Sequence, residues 1–183
     1  YEQTADEKYL DYARKAASFL YLADVYMDMK KYTEAIEPLK QAEEVLEESH
    51  PAIQSLVYSK LGYLNRESGN YELAFDYYVK AMNIDRTSQN IDWFVSDLTN
   101  ILNLPISKVQ DSASVYIKRL EKTLPNTRPN LQAKAYNNIG VYYEDMQQKE
   151  QAIAYYQKAI QTSVSVPYRA YSNLARIYDE QGY

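Results

Sequence analysis

Two pairs of side chains in the C-terminal half carry hydrogen-bond donors of a kind that grips polypeptide. They are Lys134 with Asn138 and Arg169 with Asn173, each pair four residues apart, with Arg176 close behind. Residues four apart on a helix face the same way, so each pair offers a cation and an amide from one surface. Such donors suit the backbone carbonyls of an extended chain, or a carboxylate. Bond-making chemistry has no comparable support. The chain has no Cys, which removes disulfides, thiolate catalysis and Cys-type zinc sites. The lone His50 precedes Pro51 in a turn-like stretch, and one His makes neither a metal site nor a catalytic triad. Phosphate loops, metal clusters and activated nucleophiles are missing from the sequence. The densest carboxylates, Glu34, Glu37, Glu43, Glu44, Glu47 and Glu48, form a stripe of the kind that lies on a solvated outer helix face. The reading is non-enzymatic, with no catalytic residue, no metal and no cofactor.

The elements that must position those donors repeat. Ala35, Ala74, Ala113 and Ala152 lie 39 residues apart, and the same step links Leu39, Tyr78, Ile117 and Tyr156, and Ala42, Ala81, Leu120 and Ala159. A fixed period of this length marks stacked units, each burying its apolar face only against its neighbours. Four Gly and six Pro against 46% hydrophobic and 25% charged residues favour helix over an all-β fold. In the best-defined unit Tyr58, Leu61 and Gly62 share one helical face, Gly69-Asn70 breaks the helix, and Ala74, Tyr78 and Ala81 continue on a second helix. Small residues alternating with large ones let two antiparallel helices pack closely. The 21 Tyr suit such seams, since each carries a large ring with a polar tip.

This pattern resembles the tetratricopeptide repeat (TPR), with aromatic, Leu, Gly or Ala and Tyr on helix A, then Ala, aromatic and Ala on helix B. Tyr136, Ile139, Gly140 and Tyr143, followed by Ala152, Tyr156 and Ala159, match closely. So do Phe19, Leu22, Ala23 and Tyr26 with Tyr32, Ala35, Leu39 and Ala42, while Tyr171, Leu174, Ala175 and Tyr178 begin a fifth unit. The resemblance implies an all-α, right-handed superhelical solenoid of antiparallel helix pairs. Its units fall at about 6–49, 50–88, 89–127, 128–166 and a truncated 167–183. The first residues, with Tyr9, Tyr12, Ala13 and Ala16 in helical phase from Asp6, read as an extension of the first helix A or as the helix B of a preceding repeat. Two departures stand out. The 39-residue step exceeds the usual 34 by about 1.4 helical turns, roughly 7.5 Å, as in kinesin light chains and bacterial TPR regulators. It then shortens to 35 between Gly140 and Ala175. In the third unit the motif positions read Asp97, Asn100, Ile101 and Leu104, whereas Phe94, Leu98 and Ile101 make a better apolar stripe. Its helix A is expected to be rotated or shifted and to end before Pro105.

The resemblance also implies that ligands lie along the helix A wall. Carried over by motif position, the wall residues include Tyr21 and Asp24, then Lys60 and Tyr63, then Lys134, Asn137 and Asn138, and last Arg169, Asn173 and Arg176. This resembles part of the carboxylate clamp of chaperone-binding TPR domains. The preceding unit, however, has Leu98 and Leu102 where that clamp draws Lys and Asn. Trp93 and Phe94 read either as an exposed contact pair or as filler for a distorted core. The expected function is a scaffold binding a protein or peptide of unstated identity. The alternative is a structural solenoid that self-associates as a homo-oligomer with no groove ligand. Net charge of −5 and a pI near 5.0 disfavour nucleic acid, and no apolar run suits membrane insertion. The chain starts at Tyr1 rather than Met, which reads as a fragment of a larger protein, and its compartment, cytoplasmic or periplasmic, is left open.

Overall fold

A computed structural model describes residues 5–45, 51–165 and 167–182. The chain divides between Asn90 and Ile91 into two compact units. Unit 1 holds α1 (Ala5–Asp28), α2 (Tyr32–Val45), α3 (Pro51–Glu67) and α4 (Tyr71–Thr87). Unit 2 holds α5 (Ile91–Leu102), α6 (Ser107–Thr123), a short 3-10 turn (Leu124–Asn126), α7 (Pro129–Asp145), α8 (Lys149–Thr162) and α9 (Tyr168–Gln181). Among the described residues there is no strand. Connections of three residues fold α1 onto α2, α3 onto α4 and α7 onto α8 as antiparallel hairpins. Because α1 runs unbroken from Ala5, the leading residues extend the first helix rather than forming a separate one. The turn around His50, and Glu47 and Glu48 of the acidic stripe, lie outside the described residues, as do the side chains of Asp6 and Tyr9.

Close approach of the paired helices explains the small–large alternation. In unit 1 Ala16, Ala23, Ala35, Leu39 and Ala42 share a core with Val57, Leu61 and Leu64. A Cβ on Gly62 would stand 2.7 Å from Cδ1 of Tyr78, whose side chain is fully buried. In unit 2 a Cβ on Gly140 would meet Cε1 of Tyr156 at 2.5 Å. Real carbon–carbon contacts sit near 3.5–4.0 Å, so both rings lie where only a glycine leaves room. The third hairpin fills the corresponding positions differently. Ile101 stands in place of the glycine and Ile117 in place of the tyrosine, and both are buried. Volume is shifted from one helix to the other, so the pair still fills its seam.

The third hairpin departs from its siblings in length as well. Helix α5 has 12 residues against 17 in α3 and α7, and it stops at Leu102, ahead of Pro105. Its buried stripe runs Val95, Leu98, Ile101 and Leu102. Val95 rather than Phe94 leads it, and Trp93 and Phe94 are each half-buried. Leu104 and Ile106, in the connection to α6, are buried and supply the apolar surface that the missing helical turn would have carried.

Each three-residue hairpin turn has a residue in the left-handed region. Lys30 (φ 57°), Gly69 (φ 77°) and Gln147 (φ 60°) occupy it at the ends of α1, α3 and α7. The following amide then closes a six-residue ring, Asn70 N–H to Asn65 O at 2.8 Å and Gln148 N–H to Tyr143 O at 2.8 Å. Nothing lies within 4 Å of a Cβ built on Gly69, so its substitution is a test of backbone strain alone. Gly69→Ala is expected to cost about 1 kcal/mol or slightly more, the penalty for a Cβ in this conformation. Gln147→Gly is expected to be neutral or to stabilise by a few tenths of a kcal/mol, since relief of strain offsets the greater freedom of an unfolded glycine. Denaturant midpoints at unchanged m-value check both signs.

The tyrosines also build a duplicated outer seam. Lys80 Nζ lies 3.7 Å from Glu43 and 5.0 and 5.1 Å from the ring centres of Tyr58 and Tyr77. In unit 2 Lys158 Nζ lies 3.4 Å from Glu121 and 5.7 and 4.4 Å from Tyr136 and Tyr155. Every member of the second set follows its counterpart by 78 residues, two periods. Glu43 of the acidic stripe therefore serves a seam, whereas Glu34, Glu37 and Glu44 are exposed.

Candidate functional site

In unit 1 two of the wall residues pair with each other. Asp24 on α1 and Lys60 on α3 form an ion pair across the two helices. Tyr63 meets Tyr32 edge-on, with ring centres 6.2 Å apart, and the Arg66 guanidinium sits over its outer side at 5.0 Å. Burial, helped by the Tyr32 hydroxyl, raises the Tyr63 phenol above its ordinary pKa. Tyr21 alone of this set stands well clear, at 73% exposed.

Unit 2 is different. Helices α7 and α9 face each other across an open groove in two overlapping stretches of about 420 and 410 Å³. The stretches share Asn137, Asn138, Tyr168 and Arg169, so they form one continuous depression. Lys134 lies along the first and Asn173 along the second. The structure thus brings five of the sequence-derived wall residues to one place. Asn137 and Asn138 come from the middle of α7, where Gly140 holds that helix against α8 and fixes its rotation. Arg169 and Asn173 come from the first turns of α9.

The amides are linked. Asn173 Nδ2 donates to Asn137 Oδ1 at 3.3 Å, and Asn137 Nδ2 donates to Asn138 Oδ1 at 3.4 Å. The chain of amides ends in the Asn138 amino group on one side and the Asn173 carbonyl on the other. Those are the two partners that a backbone C=O and a backbone N–H require. Lys134 and Arg169 are exposed and make no ion pair among the described residues. Arg176 is employed elsewhere. Its guanidinium is held by Glu144 and lies 4.0 Å from Glu180, while Glu180 also takes Lys149 at 2.7 Å. Glu144 accepts the Tyr156 hydroxyl at 2.7 Å as well. Burial and that bond push the Tyr156 phenol well above its ordinary pKa, so it is protonated and donating at neutral pH. Arg176 therefore ties α9 to α7.

Residues not singled out from the sequence complete the groove. Tyr168, 77% exposed, stands at the first position of α9, and Ser163 and Ser165 reach it from the connection after α8. The shortened step between Gly140 and Ala175 is the signal that could have found them, because it draws that connection against the wall. Among the described residues no cluster of His, Cys, Asp or Glu is placed to hold a metal ion, and no helix is long and apolar enough to cross a membrane.

The sequence profile described as tetratricopeptide repeat matches residues 11–87, and a second profile of the same description matches residues 133–163. Together they span more than half of the chain, and each unit carries its own match. The chain belongs to the tetratricopeptide repeat family. No curated protein matches it. Among solved structures, BtubC (BKLC) from P. vanneervenii is similar with a TM-score of 0.71 at 16% identity, covering 98% of this chain and 85% of that one. MamA is similar with a TM-score of 0.57 at 22% identity, covering 80% and 77%. At these identities the likeness speaks for the fold, an all-α array of helix pairs. The general role of this TPR protein is that of a protein-interaction scaffold, in a family that is generally non-enzymatic.

Proposed function

We propose that this TPR protein holds an extended protein segment in the groove between α7 and α9. The amide chain from Asn173 through Asn137 to Asn138 is the observation that carries this reading. It leaves one donor and one acceptor open in a groove lined from Asn130 and Lys134 to Ser172 and Asn173. Tyr168 adds an exposed ring for an apolar side chain to rest on. Reading residues 1–183 as one solenoid belongs to the same proposal, and the 39-residue phase that runs through both units supports it.

The test is a library of random segments, displayed inside a carrier loop and selected on the protein. Recovered segments are expected to lose binding at least about tenfold to Asn138→Trp, which fills the groove, and to keep it with Glu150→Ala on exposed α8 surface. Binding that survives Asn138→Trp would end the groove reading. Self-association is the second reading, and bare apolar surface favours it. Tyr171 on α9 is 51% exposed, and Leu22 and Val25 on α1 and Met29 just after it are exposed too. A molar mass by light scattering that stays monomeric as concentration rises removes this reading.

A further inference from the structure

We propose that the segment held between α7 and α9 is anchored by one aromatic side chain, seated in the 420 Å³ stretch beside the connection from α8 to α9. This rests on the groove being the binding site, and it names the side chain that the site selects. The lining of this stretch is mostly apolar, with Ala133 of α7 and Ala170 of α9, both buried, and Pro167 at the foot of α9. None of the three belongs to the wall set read from the sequence. The connection is held in a turn by Ser163, whose Oγ donates to the Ser165 carbonyl at 2.7 Å, and both serines line the stretch. Unit 1 carries Ala16 and Val57 at the positions of Ala133 and Ala170, and both belong to its core. Ala170 has two carbons fewer than Val57, and the volume they would fill is left to a ligand.

Water in a mostly apolar hollow is poorly held, so an apolar group that displaces it gains affinity. The volume lies at the lower end of the roughly 300–1,000 Å³ of small-ligand pockets, and a ring fills more of it than an aliphatic chain does. Unfilled space forfeits its dispersion contacts, which favours the larger side chain. The edges of the hollow suit a ring as well. Tyr168 offers an exposed ring to stack on, and Lys134 and Arg169 are exposed cations of the kind that sit over an aromatic face. Asn137 and Asn138 line both stretches of the groove, so a backbone that they hold passes beside the hollow and can drop a side chain into it. The amides bond to any backbone, and the hollow is the feature that discriminates between sequences.

The same library tests this. Recovered segments are expected to share Phe, Tyr or Trp at one fixed position. Replacing that residue by Ala should weaken binding about tenfold or more, and replacing it by Leu about threefold or more. On the protein, Ala170→Val restores the residue of unit 1 and should weaken binding about threefold, and Ala170→Leu about tenfold or more. Trp93 fluorescence shows whether each variant is folded. Tyr168→Ser changes an exposed side chain outside the core and should weaken binding about threefold, so it decides the matter even where Ala170→Leu fails to fold. Recovered segments with an aliphatic or acidic consensus in place of the shared ring would overturn the proposal. So would an aromatic set that binds Ala170→Val and Tyr168→Ser as tightly as the native protein. Segments without a shared ring that are nonetheless lost with Asn138→Trp would leave the groove standing and remove only this anchor. Segments indifferent to Asn138→Trp would remove the groove and this inference with it.

Discussion

Gly140→Ala is expected to destabilise unit 2 by about 1–3 kcal/mol, where the same change on an exposed helix surface would stabilise by about 1. The reversal of sign comes from one contact. The added Cβ would stand 2.5 Å from Cε1 and 2.7 Å from Cδ1 of Tyr156. That ring has no slack, being fully buried with its hydroxyl held by Glu144. Gly140→Leu is expected to cost about 3 kcal/mol or more, in the range where core overpacking abolishes folding. Trp93, the single Trp of the chain, lies in unit 2 and reports its unfolding by fluorescence. The third hairpin supplies the control, since Ile101 and Ile117 fill the same two positions with moderate volumes. Gly140→Ile with Tyr156→Ile should therefore be less destabilised than the sum of the single changes, by about 1 kcal/mol or more of favourable coupling. Strict additivity would show that Gly140 and Tyr156 do not share a seam.

Glu144→Leu is the second large effect, expected to cost about 2–3 kcal/mol. Glu144 accepts the Tyr156 hydroxyl and the Arg176 guanidinium with its side chain only 15% exposed. Most of the cost is the desolvated hydroxyl left without an acceptor. The share from Arg176 is small, because that side chain is 52% exposed and its pairing is screened. Glu144→Gln keeps an acceptor and should cost about 1 kcal/mol or less. Tyr156→Phe should cost about 1 kcal/mol in the native protein but stabilise by about 1 kcal/mol or more beside Glu144→Leu, where it removes the hydroxyl left without an acceptor, so a double-mutant cycle isolates the bond. Equal costs of Tyr156→Phe in both backgrounds would contradict the assignment. Losing Glu144 also frees Arg176 and loosens the tie between α9 and α7, which makes groove affinity a second readout.

The order of helix and turn was legible in the sequence because it is periodic and local. The 39-residue phase located the hairpins, and Gly69-Asn70 announced its left-handed turn. Gly62 and Gly140 announced close contacts, although which ring they touch needed the paired helix. The third hairpin was harder. Its alternative frame anticipated Leu98 and Ile101, but the leading apolar residue is Val95, and the burial of Leu104 and Ile106 follows from a helix that stops early. The groove was legible only in part. Lys134, Asn137, Asn138, Arg169 and Asn173 follow from motif position, since each depends on its own helix being correctly rotated. The pairing of Asp24 with Lys60 and of Arg176 with Glu144 depends on how successive A helices settle against each other, which no single helix encodes. Tyr168 and the two serines depend on a connection whose path is set by packing.

The central claim is that a protein segment lies between α7 and α9, and amide hydrogen exchange on the complex with a selected segment tests it most directly. Binding should slow exchange in α7 and α9 around Asn137 and Asn173, leaving α4 and the outer side of α8 near Lys158 unchanged. Slowing confined to α8, or to the α1–α3 wall, would place the partner elsewhere and contradict the account.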